Sequence, residues 1–418
     1  MTASTPNVPL IVRTDGARLW SDLMTIGAIA ATSGGGSFRP TATDGDRDAR
    51  NLFILWAKEA GLTVTIDGVG NIFARREGTD PDLPPVLAGS HLDTQMPGGK
   101  FDGPLGVLAA LEAVRALDRA GLRTRRAIEV VNWTNEEGAR FAPGLAGSAV
   151  FAGRLSLDAM MQSRDRAGLA LGDELGRIGY RGPAPVGGRA VDSYLELHIE
   201  QGARLEQAGA TIGAVTNAQY LGGALVTFTG ANSHAHTTPM SKRRNALAGA
   251  ARLAVEIERI GLALEPDGAM SAATLDVWPN NRVIVPHRAE VGFLIVHAER
   301  TGLDTALDAV EAAANRIVAE LGLTAEMTRA APRDRFDFPA EMVGLAEQVA
   351  ADLGHATMRL PTLTGHDAIS MHYACPTALF FVPCRDGWSH SELEWCTPEH
   401  ATAGADVLAN MILRRADR

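Results

Sequence analysis

Short apolar runs alternate with helix-like segments over roughly the first half of the chain. The runs at 85–88 and 128–133 are typical of buried strands. In Asp46–Ala60 and Leu105–Ala120 the apolar residues instead recur every three or four positions, as they do in amphipathic helices. Strands that alternate with helices predict a mostly parallel sheet with helices on both faces.

The pattern changes between Thr211 and Ala330. Strands and helices follow here in the order βαββα, with a further strand at the end. The predicted elements are strands at Ala224–Thr229, Ala273–Val277, Val291–Val296 and Thr324–Arg329, and helices at Lys242–Ile260 and Leu303–Leu321. We therefore expect a two-domain α/β protein in which residues 1–210 and 331–418 form one domain and residues 211–330 form an inserted α+β domain.

Acidic residues outnumber basic residues in this chain. Its 49 Asp and Glu against 39 Lys and Arg give a formal net charge of -10 and a pI near 5.6, which argues against a nucleic-acid partner. No apolar run is long enough to span a bilayer, and the N-terminal segment lacks the apolar core of a signal peptide. We therefore expect a cytoplasmic protein that acts on a small molecule and has no membrane partner.

Three cysteines, Cys375, Cys384 and Cys396, lie in the C-terminal part of the chain. Their number is odd and their spacing matches no paired zinc motif, so we expect reduced thiols. Cys384 lies near His390 in sequence, but no histidine is placed as its base. A structural role for Cys384 is therefore favoured over a role as ligand or nucleophile.

Histidines and acidic residues stand at the ends of apolar runs, beginning with GSHLDTQMPGGKFDG at 89–103. His91 and Asp93 follow the run at 85–88, and a glycine-rich loop leads to Asp102 at the start of a helix. A single histidine at such a place is often structural, and Asp102 alone would suit a helix N-cap. Ligands of an open α/β sheet, however, gather at the carboxyl ends of its strands.

Three further segments repeat this arrangement. VVNWTNEEGARF places Glu136 and Glu137 directly after a strand, SYLELHIEQG places His198 on the polar face of another strand, and FFVPCRDGWSHSELE places His390 in a loop. Neighbouring carboxylates cannot point the same way, so one can bind metal while the other acts as a general base. Alone, the pair would also suit a solvated helix start. Together the segments predict a dinuclear metal centre formed by His91, Asp102, Glu137, His198 and His390.

At these segments the sequence resembles the zinc amidohydrolases that include N-carbamoyl-L-amino acid hydrolases, allantoate amidohydrolases and β-ureidopropionases. These form a branch of the aminoacylase and carboxypeptidase superfamily. The resemblance rests on GSHLD with Asp102 eleven residues after His91, and on NEEGARF, ELHIEQG, HAHTTPM and GWSH. It implies that His91 and His198 hold one metal ion, that Glu137 and His390 hold the other, and that Asp102 bridges them.

The same resemblance implies roles for residues around the metals. Glu136 falls on the general base of the family, and Asp93 on the acid that hydrogen-bonds the histidine ligand beside it and so sets its orientation. Gln201 falls on a substrate contact. The cofactors implied are two divalent ions per chain, with zinc favoured and manganese, cobalt or nickel as alternatives, because a site of histidines and carboxylates accepts several metals.

The resemblance also implies that the inserted domain is a lid through which the protein forms a homodimer. His234 in GANSHAHTTPM falls on a lid histidine that stabilises the oxyanion of the reaction, and it is expected to reach the site of the partner subunit. His236 falls where the family usually has glycine, so a surface role is favoured for it.

One departure from the family concerns substrate binding. The family holds the substrate carboxylate with an asparagine in a segment similar to PNxxNVxP and with an arginine ten residues beyond its last proline. Val283 and Val296 stand at those places. Arg282, Asn281 and Arg385 are candidate substitutes. Loss of a bidentate arginine predicts poor activity on simple N-carbamoyl-α-amino acids.

The sequence therefore predicts a metal-dependent hydrolase of a non-peptide C–N bond, such as a ureido (N-carbamoyl) group or a related amide. A deacylase, an aminopeptidase-like amidase and an aromatic-amine hydrolase are alternatives on the same scaffold. Carbamoyl cleavage releases ammonia and carbon dioxide, whereas deacylation releases a carboxylic acid. An alternative of another class is a metal-binding relative without turnover, which the presence of all five candidate ligands and Glu136 disfavours.

Overall fold

The computed structural model describes residues 10–418, which form two compact units. The first consists of the chain up to Thr216 together with Phe338–Arg418, and the second consists of Asn217–Asp337. Both junctions lie a few residues beyond the expected positions 210 and 330. The first junction lies later because the strand after Thr211 pairs with a strand of the first unit, through Phe380 and Ala214.

The strands and helices are numbered along the whole described chain. The strands are β1 Thr63–Ile66, β2 Ile72–Arg76, β3 Val86–His91, β4 Ile128–Trp133, β5 Ser193–Ile199, β6 Ile212–Ala218, β7 Tyr220–Thr229, β8 Ser233–His234, β9 Gly268–Trp278, β10 Ile284–Val285, β11 Arg288–His297, β12 Thr324–Arg329, β13 Phe336–Asp337, β14 Thr357–Thr362 and β15 Thr377–Val382. The α-helices are α1 Gly16–Gly27, α2 Asp44–Glu59, α3 Pro104–Arg119, α4 Ala146–Phe151, α5 Leu157–Met161, α6 Leu171–Arg177, α7 Arg204–Ala208, α8 Ala246–Leu262, α9 Arg300–Leu321, α10 Ala340–Asp352, α11 Asp367–Met371 and α12 Pro398–Ala416.

The first unit is built on a sheet with the strand order β1-β2-β4-β3-β5-β15-β6, and β14 also pairs with β6. The four central strands β4, β3, β5 and β15 run parallel to one another. The flanking strands are antiparallel, as in the pairs of β1 with β2 and of β15 with β6. The expected α/β fold with a mainly parallel central sheet is thus confirmed. The candidate metal ligands lie at the ends of its parallel strands or in the loops that follow them.

Strand β5 carries the polar face that its alternating sequence predicted, and that face is buried. All seven of its residues are buried. The strand lies between two parallel neighbours, so its polar side chains face other polar groups inside the protein. Glu196, for example, accepts hydrogen bonds from the Ser90 hydroxyl (2.7 Å) and from the main-chain N–H of Ala368 (2.7 Å).

Helix α3 packs against the sheet beside the candidate site. Pro104 occupies its first turn, and Gly103 precedes it with φ +83°. A side chain on Gly103 would also collide with the His91 ring, because an added Cβ would lie 2.4 Å from ring atom Cε1. Glycine is therefore required both by the backbone conformation and by the close approach of His91.

The second unit contains a four-stranded antiparallel sheet in the order β12-β7-β11-β9, packed against α8 and α9. A separate pair joins β8 to β10. Strand β12 has the bounds expected from the sequence, but α8 begins at Ala246 and not at Lys242. The difference arises because the Asn245 side chain caps the helix by accepting from the Ala248 N–H, and a separate 3₁₀ turn precedes it.

No helix within residues 10–418 combines the length and the apolar character needed to cross a membrane.

A buried ion pair links α2 to the end of β4. Arg50 Nε lies 2.8 Å from Asp46 Oδ1, and both side chains are fully buried. The same guanidinium donates to the main-chain oxygen of Gly70 at 2.8 Å and to the hydroxyl of Thr134 at 3.3 Å. Thr134 directly follows β4, so this pair helps to fix the segment that leads to Glu136.

We expect Arg50→Met to lower the unfolding free energy of the first unit by about 3–5 kcal/mol, because it leaves the Asp46 carboxylate buried without its partner. Arg47→Met is the matched control: Arg47 pairs with Asp44 and Asp48 on the surface, so its loss should cost less than about 1 kcal/mol. Urea unfolding followed by tryptophan fluorescence measures both, since every tryptophan except Trp278 lies in the first unit. Equal losses in the two variants would contradict the expectation.

Candidate metal centre

The candidate ligands meet at one edge of the first unit because adjacent parallel strands end there. Strand β3 ends in His91, His198 is the last residue but one of β5, and the loops after β4 and β15 carry Glu137 and His390. Asp102 precedes α3 on the loop after β3. Carboxyl ends of parallel strands are where α/β proteins bind ligands.

Three of these residues form a first group of candidate ligands. The Nε2 atoms of His91 and His198 lie 3.4 and 3.2 Å from Asp102 Oδ1. Each ring uses Nδ1 for a main-chain carbonyl, that of Asp93 at 2.9 Å and that of Ile199 at 3.0 Å. These contacts place the ring proton on Nδ1 and leave the lone pair of Nε2 directed at the group.

A second group shares the same aspartate. His390 Nε2 lies 3.4 Å from Asp102 Oδ2 and 3.4 Å from Glu137 Oε2. In each group the ligand atoms all lie within 4.8 Å of one another. Asp102 thus directs one oxygen to each group, which is the shape of a bridging carboxylate.

The residues fit a divalent metal ion. Imidazole nitrogens with carboxylate oxygens are a donor set that zinc and similar ions accept. Among the described residues, the buried His91 Nε2 has no hydrogen-bond partner. A buried polar atom without a partner is costly unless something binds it, and a metal ion would satisfy this one.

Glu136 and Glu137 point to different histidines. Glu136 Oε2 lies 3.5 Å from His91 Nε2, whereas Glu137 Oε2 faces His390. Glu136 belongs to neither of the two ligand groups. Glu137 is thus a candidate ligand and Glu136 is not, and the role of Glu136 as general base stays a prediction.

The electrostatics of the site reflect crowded buried carboxylates. Burial, and then the neighbouring Asp102 charge, raise the pKa of Glu137 to about 7. Burial also raises the pKa of Glu136. For His390, burial opposes protonation, but contacts with Asp102 and Glu137 outweigh it and raise the pKa to about 9. The excess of negative charge is the kind of field that a bound cation neutralises.

Asp93 acts differently from the expectation. Its main-chain oxygen contacts His91 Nδ1, while its carboxylate Oδ1 lies 3.8 Å from that nitrogen. The carboxylate instead accepts from the Thr41 hydroxyl at 2.9 Å and from the N–H groups of Glu136 and Glu137, each at 3.4 Å. Asp93 therefore holds the backbone of the two glutamates as well as the histidine ring.

Sequence reasoning missed two residues that position the ligands. The buried Glu394 accepts from the N–H groups of Phe101 and Asp102, at 2.8 and 3.0 Å, and so holds the loop that carries the shared aspartate. Gln95 donates from Nε2 to Glu137 Oε2 at 2.7 Å. Glu394 lies in the motif that contains His390, and Gln95 lies in the motif that contains His91. Nothing in the sequence distinguishes them from the neighbouring polar residues, so only their contacts in the structure identify them.

Gln201 lies beside the second group. It has φ +60°, and its Nε2 donates to Asp102 Oδ2 at 2.7 Å and to Ser389 Oγ at 3.0 Å. A strained backbone of this kind is common at functional sites. The structure thus places Gln201 against the shared aspartate, and its role as a substrate contact stays a prediction.

Three of the remaining candidate residues, His234, Asn281 and Arg282, lie in the second unit. His234 Nδ1 accepts from the N–H groups of His236 and Thr237, at 3.1 and 3.2 Å, so its Nε2 carries the proton and can donate. Asn281 Oδ1 accepts from the Val283 N–H at 3.0 Å within its own turn.

Arg282 is exposed in the second unit, and Arg385 lies in the first unit, where its guanidinium donates to the Leu393 carbonyl at 3.3 Å. Of the two valines predicted to stand at the places of the family's carboxylate-binding residues, Val283 is 49% exposed and Val296 is buried. Neither offers a polar group.

Cys384 fits the structural role expected for it. Its thiol is buried and donates to the Trp388 carbonyl at 2.8 Å. Burial raises its pKa to about 12, which keeps the thiol protonated and unsuited to nucleophilic attack. Cys375 and Cys396 are likewise free and buried.

Comparison with known proteins confirms the resemblance that the motifs indicated. The profile of Peptidase family M20/M25/M40 matches residues 87–414. The chain is 40% identical over 405 residues to an N-carbamoyl-L-amino-acid amidohydrolase from Rhizobium meliloti, with 97% of each chain covered. It is 29% identical over 388 residues to an allantoate amidohydrolase from Bacillus subtilis, covering 92% of this chain and 94% of that protein. A crystal structure of an amidase of the hydantoinase/carbamoylase family from Burkholderia vietnamiensis matches with a TM-score of 0.93 and 42% identity, covering 97% of this chain and 98% of that one.

We expect Asp102→Ala to remove metal from both groups, because its two oxygens serve one group each. Elemental analysis of metal-loaded protein measures the occupancy, and circular dichroism checks the fold. The matched control is Glu59→Ala, an exposed acid on α2 whose loss should leave the metal content unchanged. A wild-type protein that stays metal-free after loading with zinc or manganese would refute the assignment of the site.

Proposed function

Because this chain belongs to Peptidase family M20/M25/M40, whose profile matches it over residues 87–414, we propose that it hydrolyses a ureido (N-carbamoyl) group or a related amide of a small molecule at two divalent metal ions. It is a hydrolase of carbon–nitrogen bonds other than peptide bonds, like the relatives named amidohydrolases. The observation that carries the proposal is the pair of ligand groups that share Asp102, with a free carboxylate, Glu136, 3.5 Å from His91.

The ligand groups define what the chain would hold. His91, His198 and Asp102 would bind one ion, and Asp102, Glu137 and His390 would bind the other. Two such ions polarise a carbonyl group and lower the pKa of water. The chain itself supplies the shape of the site, because main-chain carbonyls fix both buried histidine rings.

Glu136 is the group placed to move protons. It is buried beside the ligands but belongs to neither group, so its carboxylate can accept a proton from the attacking water. After attack on the carbonyl carbon, the same carboxyl group can donate that proton to the departing nitrogen. Asp93 fixes the backbone of Glu136 and so orients this carboxylate.

His234 is a further candidate for this reaction. Two N–H groups donate to its Nδ1, so that Nε2 presents a proton to a developing oxyanion. In a dimer formed through the second unit, as in the family that the motifs resemble, this donor would act on the site of the partner subunit. A mixture of His234→Ala and Glu136→Gln chains would then regain part of the activity that each lacks alone.

The substrate differs from a simple N-carbamoyl-α-amino acid. Val283 and Val296 stand where the related enzymes are expected to hold an asparagine and an arginine for the α-carboxylate. An apolar side chain cannot replace the paired hydrogen bonds of a guanidinium. A deacylase remains the second candidate, and the released products, ammonia and carbon dioxide or a carboxylic acid, separate the two.

We expect Glu136→Gln to retain both metal ions and the fold but to lose kcat by at least about a hundredfold, because only the proton acceptor is removed. Glu137→Gln, the neighbouring and isosteric control, should instead lose metal affinity. Turnover and metal content measured on the same preparations test this division. Identical metal content in the two variants would mean that the roles have been assigned wrongly.

We expect no large preference for a free α-carboxylate. A charged hydrogen bond to the α-carboxylate would favour the acid over its amide by roughly tenfold or more. Because that contact is predicted to be missing, the kcat/KM values of N-carbamoyl-α-amino acids and of their amides should lie within about tenfold of each other. Arg282→Met and Arg385→Met test the two arginines as substitutes. A strong preference for the free acid that survives both substitutions would show that other residues bind the α-carboxylate.

A further inference from the structure

A cavity of about 340 Å³ opens beside the second ligand group, entirely within the first unit. His390, Gln201 and Ser389 line it on the side of the candidate metal centre. Its volume lies in the range of pockets that hold small ligands. Part of the substrate can therefore occupy this cavity while its scissile group lies at the ligands.

The cavity combines apolar side chains with the guanidinium-bearing residue Arg204. Leu360 and Phe381, both buried, and Leu363, which is partly exposed, supply apolar surface. Arg204 is the one arginine or lysine among the lining residues, and His390 stands at the side of the candidate metal centre. Such a lining suits a ligand that has both a carbon chain and a negative charge.

Arg204 has no acidic partner within the described residues. It takes part in none of the ion pairs of this part of the chain, and its guanidinium makes no hydrogen bond there, although its side chain is partly buried. The two acidic residues nearest in sequence, Glu206 and Glu200, have other contacts: Glu206 Oε2 accepts from the Asp386 N–H at 2.7 Å, and both oxygens of Glu200 accept from main-chain N–H groups. Glu200 Oε1 accepts from the Arg204 N–H at 2.9 Å and Glu200 Oε2 from the Leu205 N–H at 2.8 Å.

A partly buried guanidinium without a partner is unusual, because arginines in such places are normally paired. Arginine binds carboxylates through two parallel hydrogen bonds, more specifically than lysine does. Here the vacant guanidinium lies in a cavity that adjoins the candidate catalytic residues, where an anionic end of the substrate can reach it.

We propose that Arg204 binds a carboxylate at the far end of the substrate and that the apolar lining of this cavity holds the carbon chain between that carboxylate and the scissile group. This inference rests on the proposed function and narrows its substrate class to ureido acids or amido acids whose carboxylate is separated from the nitrogen by several carbons. It is consistent with Val283 and Val296, because recognition of the acid moves from the second unit to the first.

The test uses the metal-loaded enzyme with straight-chain ω-ureidocarboxylates that have two to five methylenes between the ureido nitrogen and the carboxyl carbon, and with the primary amide of each. At the chain length that fits, the acid should exceed its amide in kcat/KM by at least about tenfold. Arg204→Met should raise KM for that acid by about ten- to a hundredfold and abolish the preference, with much less change in kcat. Arg204→Lys should restore part of the preference because it restores the charge.

The matched control is Arg181→Met, which removes an exposed arginine of the first unit that does not line the cavity and should leave the ratio of acid to amide unchanged. Equal losses for acid and amide in Arg204→Met, or an unchanged ratio, would overturn the inference.

Calorimetric binding of the same acids to the Glu136→Gln variant, with and without Arg204→Met, separates this inference from the proposed function. If the acids bind to Glu136→Gln in a manner that depends on Arg204, but the wild-type enzyme does not turn over any ureide, the proposed function is refuted and the anion site is supported. Turnover without any dependence on Arg204 would refute the site alone, and the absence of both would refute both.

Discussion

Buried carboxylates crowd the carboxyl ends of four parallel strands, and their repulsion must be balanced by positive charge. Asp102, Glu136 and Glu137 lie within reach of three histidines, and burial together with mutual repulsion raises the pKa of Glu137 to about 7. Such an arrangement is unfavourable in a protein that binds nothing there. Bound cations would neutralise these carboxylates, and the positions of the surrounding strands and loops place the carboxylates where such cations can bind.

Residues around the site make hydrogen bonds that orient several of the candidate ligands. Main-chain carbonyls orient the rings of His91 and His198, Glu394 holds the loop of Asp102, and Asp93 holds the backbone of the two glutamates. Metal sites depend on such outer contacts for ligand orientation and basicity. The buried pair of Arg50 with Asp46 extends this support to the segment that follows β4. Contacts from several elements of the first unit therefore fix the positions of the candidate ligand atoms.

The proposed function assigns chemistry and specificity to different parts of this chain. Relatives of 40% and 29% identity are named for different substrates. Such differences require changes only in the residues that touch the rest of the substrate. In this chain Val283 and Val296 are the predicted departures, and Arg204, which has no ion pair among residues 10–418, lines the cavity beside His390.

The order of elements and the candidate ligands could be predicted from local patterns alone. Strands β4 and β12 have the predicted bounds, and the strand-end motifs contain both ligand groups. These features depend on residues close together in sequence, where periodicity and spacing carry the information. The predicted start of α8 at Lys242 was wrong, because the side chain of Asn245 caps the helix and sets its first residue.

Only the tertiary structure decided which atoms meet. Asp93 contacts His91 through its carbonyl and not its carboxylate, and Glu394 supports a loop nearly three hundred residues away in sequence. Within the described part of the chain, the Arg204 guanidinium has no ion-pair partner. The sequence by itself determined the residue types, the elements and the family, because these follow from short segments. It could not determine these contacts, because hydrogen bonding and burial are set by groups that become neighbours only when the chain has folded.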